Sequence, residues 1–172
     1  RDLPSQYGPY APMVNVLALR AVLTKWTMNL QTGESREEQV DDSISEFPVV
    51  NLGLLGYETR YAYLASIPDT GTQMFDGILK YDLTDGTYAA HRFDEHFYGS
   101  EPAFAPRLGA TAEDDGYVVT FVSNVVTGES RALILDARNL ADKPVAQVHI
   151  PQRIPLGFHG TWANLSEFRP AA

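Results

Sequence analysis

The sequence predicts an all-β fold in which the 172-residue chain supplies about three blades of a β-propeller. Short β-rich runs recur along the chain, separated by clusters of Gly, Pro, Asn and Asp. No stretch carries a convincing helical stripe, since the nearest candidate, residues 35–40, is short and polar. Sequence landmarks also repeat with a period of about 55 residues, which is typical of an architecture built from repeated units.

Seven segments of the chain are predicted to be strands. They are residues 19–30, 60–67, 77–83, 87–93, 116–124, 132–137 and 144–150. Thr-Gly or Asp-Gly pairs at 32–33, 85–86 and 127–128 predict hairpin turns, because glycine readily adopts positive φ.

The repeat is clearest in strands that run into turns. Trp26, Tyr81 and Leu135 occupy corresponding places, and their two spacings are nearly equal. The segments 60–64 and 117–121 are a second pair of landmarks, separated by close to the same interval. Separate landmarks that share one period indicate a repeated structural unit of about four short strands.

A proline-containing segment follows in each repeat and carries one polar residue. These residues are Glu46, Glu101 and His159, again about one period apart. The second of these spacings is slightly longer than the first, which a few additional loop residues would explain.

This period, with about four short strands per unit, predicts a propeller blade. An antiparallel sandwich with evenly spaced strands is the alternative. Propellers close with four to eight blades, so three blades would leave edge strands unpaired. We therefore expect residues 1–172 to be the C-terminal portion of a single propeller domain, with 1–12 as a loop or linker. The N-terminal part of the same propeller is then an expected partner.

Composition excludes several classes of function. The net charge is −9 and Lys and Arg form no cluster, which argues against a nucleic-acid partner because phosphate binding needs a basic surface. The chain has no cysteine, which excludes disulfides, cysteine zinc sites and thiol catalysis and fits a reducing compartment. No apolar run is long enough for a membrane span, and membrane contact is left open.

Glu46, Glu101 and His159 are the candidate site residues. Equivalent positions on the innermost strands of propeller blades face one central channel, so residues one period apart can be neighbours. A carboxylate that accepts the outer N–H of a metal-binding histidine fixes its tautomer and orients the ring. The alternatives are ordinary surface carboxylates and a structural histidine in the glycine-rich turn at 157–160. His91, His96 and His149 are instead expected to be surface or outer-strand residues.

Several motifs, in order along nearly the whole chain, resemble those of the carotenoid cleavage oxygenases. The family includes the carotenoid, apocarotenoid and lignostilbene dioxygenases and the retinal pigment epithelium isomerase. The motifs lie at residues 45–48, 75–82, 100–107, 113–117, 134–137, 144–146 and 154–162. The last of them reads Ile154-Pro-Leu-Gly-Phe-His-Gly-Thr-Trp162.

The resemblance implies a seven-bladed propeller with one non-haem Fe(II) on its axis, held by four histidines. By this pattern His159 is the last iron ligand and the only one in this chain. Glu46 and Glu101 match the last two of three glutamates that bind the ligating histidines. Glu101 should orient His159, and Glu46 should orient a histidine upstream of this chain.

The implied reaction is cleavage of a C=C bond by O₂ to give two carbonyl products. The expected substrate is a hydrophobic alkene, either a carotenoid or apocarotenoid or a stilbenoid. Phe47 is a candidate for the lining of an apolar substrate tunnel, with plain core packing as the alternative. A retinoid ester isomerohydrolase of the same family and a non-catalytic propeller binding module are the competing functions. We expect a cytoplasmic, bacterial protein.

Overall fold

The computed structural model describes residues 20–70, 73–157 and 159–165. These residues form ten strands and one short 3-10 helix, Leu52–Leu54, which confirms the all-β prediction. The strands are β1 Val22–Met28, β2 Ser35–Val49, β3 Tyr61–Ser66, β4 Gly77–Asp82, β5 Tyr88–Arg92, β6 Phe97–Gly99, β7 Ala103–Pro106, β8 Gly116–Asn124, β9 Ser130–Asp136 and β10 Ala146–Ile150. The predicted linker at residues 1–12 lies outside the described residues.

The strands form two antiparallel sheets. The first has the order β1-β2-β3-β4-β5. The second has the order β10-β9-β8-β6, and β7 pairs with the same strand, β8, as β6 does. All observed pairs join strands that are close in sequence, as expected for hairpin-connected propeller blades.

Strand β2 belongs to two structural units. Its first part pairs with β1 as far as Ile44, and its second part pairs with β3 from Ser45 onward. The described residues therefore contain two complete four-stranded units, preceded by the two outer strands of another. Sequence reasoning missed this single 15-residue strand and divided it into a polar start and a proline-containing segment. The seven-blade count stays a prediction.

Both candidate glutamates lie at a one-residue bulge in the innermost strand of a unit. Between Glu46 and Val49 the chain advances three residues while β3 advances two. Between Gly99 and Ala103, around Glu101, it advances four residues while β8 advances three. A bulge leaves one residue unpaired and redirects side chains, and bulges are common beside active sites. It also explains how a proline fits within β2, since the ladder is already interrupted there.

Three hairpin turns share one local structure. Gly33, Gly86 and Gly128 have φ of 76°, 75° and 77°, which glycine adopts without steric cost. Each donates its backbone N–H to the carbonyl four residues earlier, at 2.8 to 2.9 Å. The three predicted turns are therefore present, and the Asn or Asp at the start of each accepts further turn N–H groups.

The hydrophobic core joins the two sheets. Tyr63 and Ile78 from the first sheet pack in one buried cluster with Phe104, Val118 and Leu135 from the second. Tyr63 and Phe104 stack with ring centroids 5.5 Å apart. Each such apolar side chain contributes about 1.5–3 kcal/mol when it is fully removed from water. This burial packs the two sheets against one another.

Acidic residues in the turn just before β8 hold the units together. The Glu113 carboxylate accepts hydrogen bonds from the backbone N–H groups of Arg60 and Tyr61, at 2.8 to 3.0 Å. Asp114 binds the ammonium group of the buried Lys80 at 2.8 Å. Buried charges are tolerated when paired in this way, so these contacts connect β3 and β4 to the second sheet.

Within the part of the chain that the structure describes, no helix is long and apolar enough to cross a membrane.

Candidate metal-binding site

His159 and Glu101 meet although they are 58 residues apart in sequence. His159 Nδ1 lies 3.2 Å from Glu101 Oε2, and the carboxylate is largely buried whereas the imidazole is 80% exposed. An ionised carboxylate only accepts hydrogen bonds, so Nδ1 carries the proton. In a neutral imidazole this tautomer leaves the Nε2 lone pair free for a metal ion.

The same carboxylate oxygen also fixes the backbone next to the imidazole. Glu101 Oε2 accepts the N–H of Gly160 at 2.8 Å. Two hydrogen bonds from consecutive residues reach one oxygen atom, so the peptide group and the ring are held together. Glu101 therefore orients the imidazole and also anchors the chain that carries it.

Phe47 packs against the imidazole. The two ring centroids lie 5.0 Å apart in an edge-to-face arrangement, and the ring centroids of Phe47 and Phe75 lie 5.4 Å apart in the same kind of arrangement. Phe47 has φ of 56°, which is unusual for a bulky residue and places it at the bulge in β2. Strained backbone of this kind occurs at functional sites. The role expected for Phe47 as tunnel lining stays a prediction, and its observed neighbour is His159.

Two substitutions of Phe47 should separate backbone strain from ring packing. Phe47→Gly removes the strain of positive φ, so it should leave the protein more stable than Phe47→Ala by about 1 kcal/mol. Both variants remove the ring from His159. Urea unfolding of the metal-free protein would measure the difference. Equal stability of the two variants would contradict a strained backbone at this position.

Glu46 lies on β2 next to Phe47 and pairs across the sheet with Ala65. Its side chain is half-buried. Among residues 20–70, 73–157 and 159–165, no group donates a hydrogen bond to its carboxylate. The structure thus brings Glu101 and His159 into direct contact. It places Glu46 beside Phe47, and the Glu46 carboxylate has no hydrogen-bond donor among the described residues.

The remaining histidines lie away from this cluster. His149 is on β10, an outermost strand, where its Nδ1 lies 3.0 Å from a Glu129 carboxylate oxygen. His91 is on β5, where burial lowers its pKa and its Nδ1 donates to the Asp142 carbonyl at 3.1 Å. The exposed His96 is close to Glu95.

The residues present fit a metal site to which His159 contributes one ligand. Among the described residues, no three His, Asp or Glu side chains converge on a common point. His159 offers one free ring nitrogen, and its other nitrogen is already bound to a carboxylate. This is the usual environment of a metal-binding histidine. A complete site needs further ligands from outside the described residues.

An apolar cavity of about 270 Å³ borders this cluster. Its lining includes Glu101, Phe104, Leu55 and Trp162, and Phe47 is not among its described lining residues. Trp162 also lines a larger cavity of about 490 Å³, between the β2–β3 and β7–β8 connections.

Comparison with known proteins identifies the family. The family model described as retinal pigment epithelial membrane protein matches residues 5–164. A carotenoid cleavage oxygenase of Mycobacterium tuberculosis is 36% identical over 149 residues, which cover 84% of this chain and 29% of that protein. The chain belongs to the carotenoid cleavage oxygenase family.

Other relatives of this carotenoid cleavage oxygenase chain differ in their named substrates. The lignostilbene-alpha,beta-dioxygenase isozyme III of Sphingomonas paucimobilis is 31% identical and covers 98% of the chain and 36% of that enzyme. The apocarotenoid-15,15'-oxygenase of Synechocystis is 32% identical, and the match covers 83% of this chain and 29% of that enzyme. The chain thus spans about a third or less of the length of these curated relatives.

Solved structures of the carotenoid cleavage oxygenase family have the same fold. A variant of Synechocystis apocarotenoid oxygenase matches with a TM-score of 0.77 and 31% identity, covering 83% of this chain and 30% of that chain. A cobalt-substituted form of the same enzyme matches with a TM-score of 0.72 and 29% identity, covering 79% and 29%. That relative therefore has a metal site.

Sequence reasoning missed two parts of this site. Phe75 supports Phe47, and its only sequence signal was a place in one of the family-like motifs. The N–H of Gly160 binds Glu101, but a glycine after a histidine carries no signal of a backbone hydrogen bond.

Proposed function

We propose that the complete protein is a non-haem Fe(II)-dependent dioxygenase that cleaves a C=C bond of a carotenoid, apocarotenoid or stilbenoid with O₂. In this proposal His159 is one of four histidines that hold the iron, and Glu101 orients it. Glu46 is proposed to orient a second of these histidines, which lies in the N-terminal part of the same propeller. The two products are carbonyl compounds, and each receives one oxygen atom from O₂.

The observation that carries the proposal is the pairing of His159 with Glu101. The carboxylate accepts from Nδ1 and from the following backbone N–H, which leaves Nε2 as the free donor atom. A solvated loop histidine needs no buried carboxylate behind it. The names of the relatives support the reaction class, since they include carotenoid, apocarotenoid and lignostilbene oxygenases.

In this proposal the residues of this chain would hold the iron and orient its histidine ligand, and they would transfer no protons. Iron, when bound, supplies the activation of O₂. In the neutral imidazole of His159, Glu101 fixes the Nδ1–H tautomer, because its carboxylate accepts that proton in a hydrogen bond. Phe47 packs against the imidazole and restricts its rotation. Phe75 in turn packs against Phe47 and supports its position.

The test is to incubate the complete protein with Fe(II), isotope-labelled O₂ and one substrate at a time. A carotenoid, an apocarotenoid aldehyde and a hydroxylated stilbene represent the three candidate classes. We expect one class to give two carbonyl products, each carrying the label, when analysed by mass spectrometry. An anaerobic incubation is the control for O₂ dependence.

The competing functions give different results in the same experiment. A retinyl ester that is isomerised and hydrolysed without O₂ consumption would indicate an isomerohydrolase. A protein that binds no iron and converts none of the substrates would indicate a binding module. Either result would overturn the proposed dioxygenase function.

A further inference from the structure

Two buried serines hold the backbone of Ile154, which shortly precedes His159 in the chain. Ser123 at the end of β8 is 3% exposed, and Ser130 at the start of β9 is 1% exposed. Ser123 Oγ donates to the Ile154 carbonyl at 2.7 Å, and the Ile154 N–H donates to Ser130 Oγ at 2.8 Å. The two hydroxyl oxygens are 2.8 Å apart.

The directions of these hydrogen bonds follow from the number of protons. A serine hydroxyl has one proton, and that of Ser123 is already donated to the Ile154 carbonyl. Ser130 must therefore donate to Ser123. The result is a closed ring that runs from the Ile154 N–H through Ser130 and Ser123 to the Ile154 carbonyl. Every buried donor in it is satisfied, and hydrogen bonds in such a chain strengthen one another.

The serine ring lies on the route from the outermost strand to the candidate metal site. After β10 the chain crosses the end of the second sheet and forms no strand at residues 151–157. The described contacts hold it at Ile154 through β8 and β9, and at His159 and Gly160 through Glu101, which lies between β6 and β7. The span between these anchors contains Pro155, which fixes one φ angle.

We propose that Ser123 and Ser130 are positioning residues for the metal-binding imidazole of His159. They fix the start of the segment that carries His159, and Glu101 fixes its end. This inference rests on the proposed function, because it takes His159 to be a metal ligand. Strand hydrogen bonds would normally hold such a segment, and here buried hydroxyl groups hold it instead. Without the serine ring, the segment between Ile154 and His159 would sample more conformations, and metal binding would have to order it.

The test compares serine variants of the complete protein with a control variant that is destabilised at least as much but keeps both serines. Ser130→Ala and Ser123→Ala are expected to weaken cobalt affinity by about 5- to 10-fold and to speed cobalt release to a chelator by a similar factor. The visible absorption bands of the cobalt-loaded protein should broaden. Val118→Ala, in the core on the same strand β8, should lower the melting temperature without changing cobalt affinity or spectrum.

Two further variants use the chemistry of the ring. Ser130→Thr keeps the hydroxyl group and should restore cobalt affinity to within about twofold of the unmodified protein. The double variant Ser123→Ala/Ser130→Ala should lose no more affinity than either single variant, since one break opens the whole ring. If the loss of cobalt affinity parallels the decrease in melting temperature in all variants, including Val118→Ala, the inference is overturned.

A measurement on the unmodified protein covers the case in which the serine variants do not fold. The Ile154 amide should exchange its hydrogen at least about 10-fold more slowly than an unprotected peptide, and still more slowly once cobalt is bound. Exchange at the unprotected rate would overturn the role of the serines. An unmodified protein that binds neither iron nor cobalt would overturn the proposed function itself. Normal binding with unchanged serine variants would overturn only the serine inference.

Discussion

Replacing His159 with alanine is expected to abolish iron retention by the complete protein. The substitution removes one ligand nitrogen, and it also leaves the Glu101 carboxylate without the imidazole that it holds at 3.2 Å. The fold should persist, because the His159 side chain is 80% exposed and contributes little to the core. Iron content after gel filtration and turnover of the best substrate measure the effect.

His149→Ala is a closely matched control for this experiment. His149 also faces a carboxylate, with 3.0 Å between its Nδ1 and Glu129, and its side chain is 70% exposed. It differs in lying on the outermost strand β10. We expect this variant to keep its iron and its activity. Iron retention by His159→Ala would exclude His159 as a ligand.

Replacing Glu101 with glutamine should weaken metal affinity by about 10- to 100-fold while the fold is preserved. This corresponds to about 1.4–2.7 kcal/mol of binding free energy. The glutamine carbonyl can still accept hydrogen bonds from His159 Nδ1 and from the Gly160 N–H. The loss of metal affinity would therefore measure the effect of removing the negative charge. Glu101→Ala removes both hydrogen bonds and should be the more damaging change. Competition with a chelator of known affinity measures both variants.

Glu129→Gln tests whether any histidine-bound carboxylate produces this effect. It changes the charge beside His149 in the same way and should leave metal affinity unchanged. Equal affinity of Glu101→Gln and the unmodified protein would show that Glu101 does not tune the ligand. A loss of folding in Glu101→Gln would instead indicate a structural carboxylate.

The repeat made much of the fold predictable from sequence. Trp26, Tyr81 and Leu135 do lie on β1, β4 and β9, the corresponding third strands of their units. Alternating apolar residues and glycine turns are local signals, so they can be recognised without any knowledge of tertiary contacts. The same period indicated that Glu101 and His159 could be neighbours around an axis, and the family resemblance implied that Glu101 orients His159.

The parts that sequence could not predict depend on irregular backbone. A bulge arises from a mismatch between two paired strands, so the positive φ of Phe47 has no signature in its own neighbourhood. The serines at 123 and 130 occupy ordinary strand positions, and only the path of the chain after β10 makes them partners of Ile154. Local propensity carries no information about either feature.

The strand shared by two units makes the site depend on its neighbours. Because β2 pairs with β1 as far as Ile44 and with β3 from Ser45 onward, fraying of the first part exposes the start of the second. Glu46 and Phe47 follow directly on that junction. A disturbance in the outer hairpin of one unit would therefore spread along a single backbone into the inner edge of the next. Adjacent units should open as one cooperative block, so the stability of the candidate metal site depends on both units.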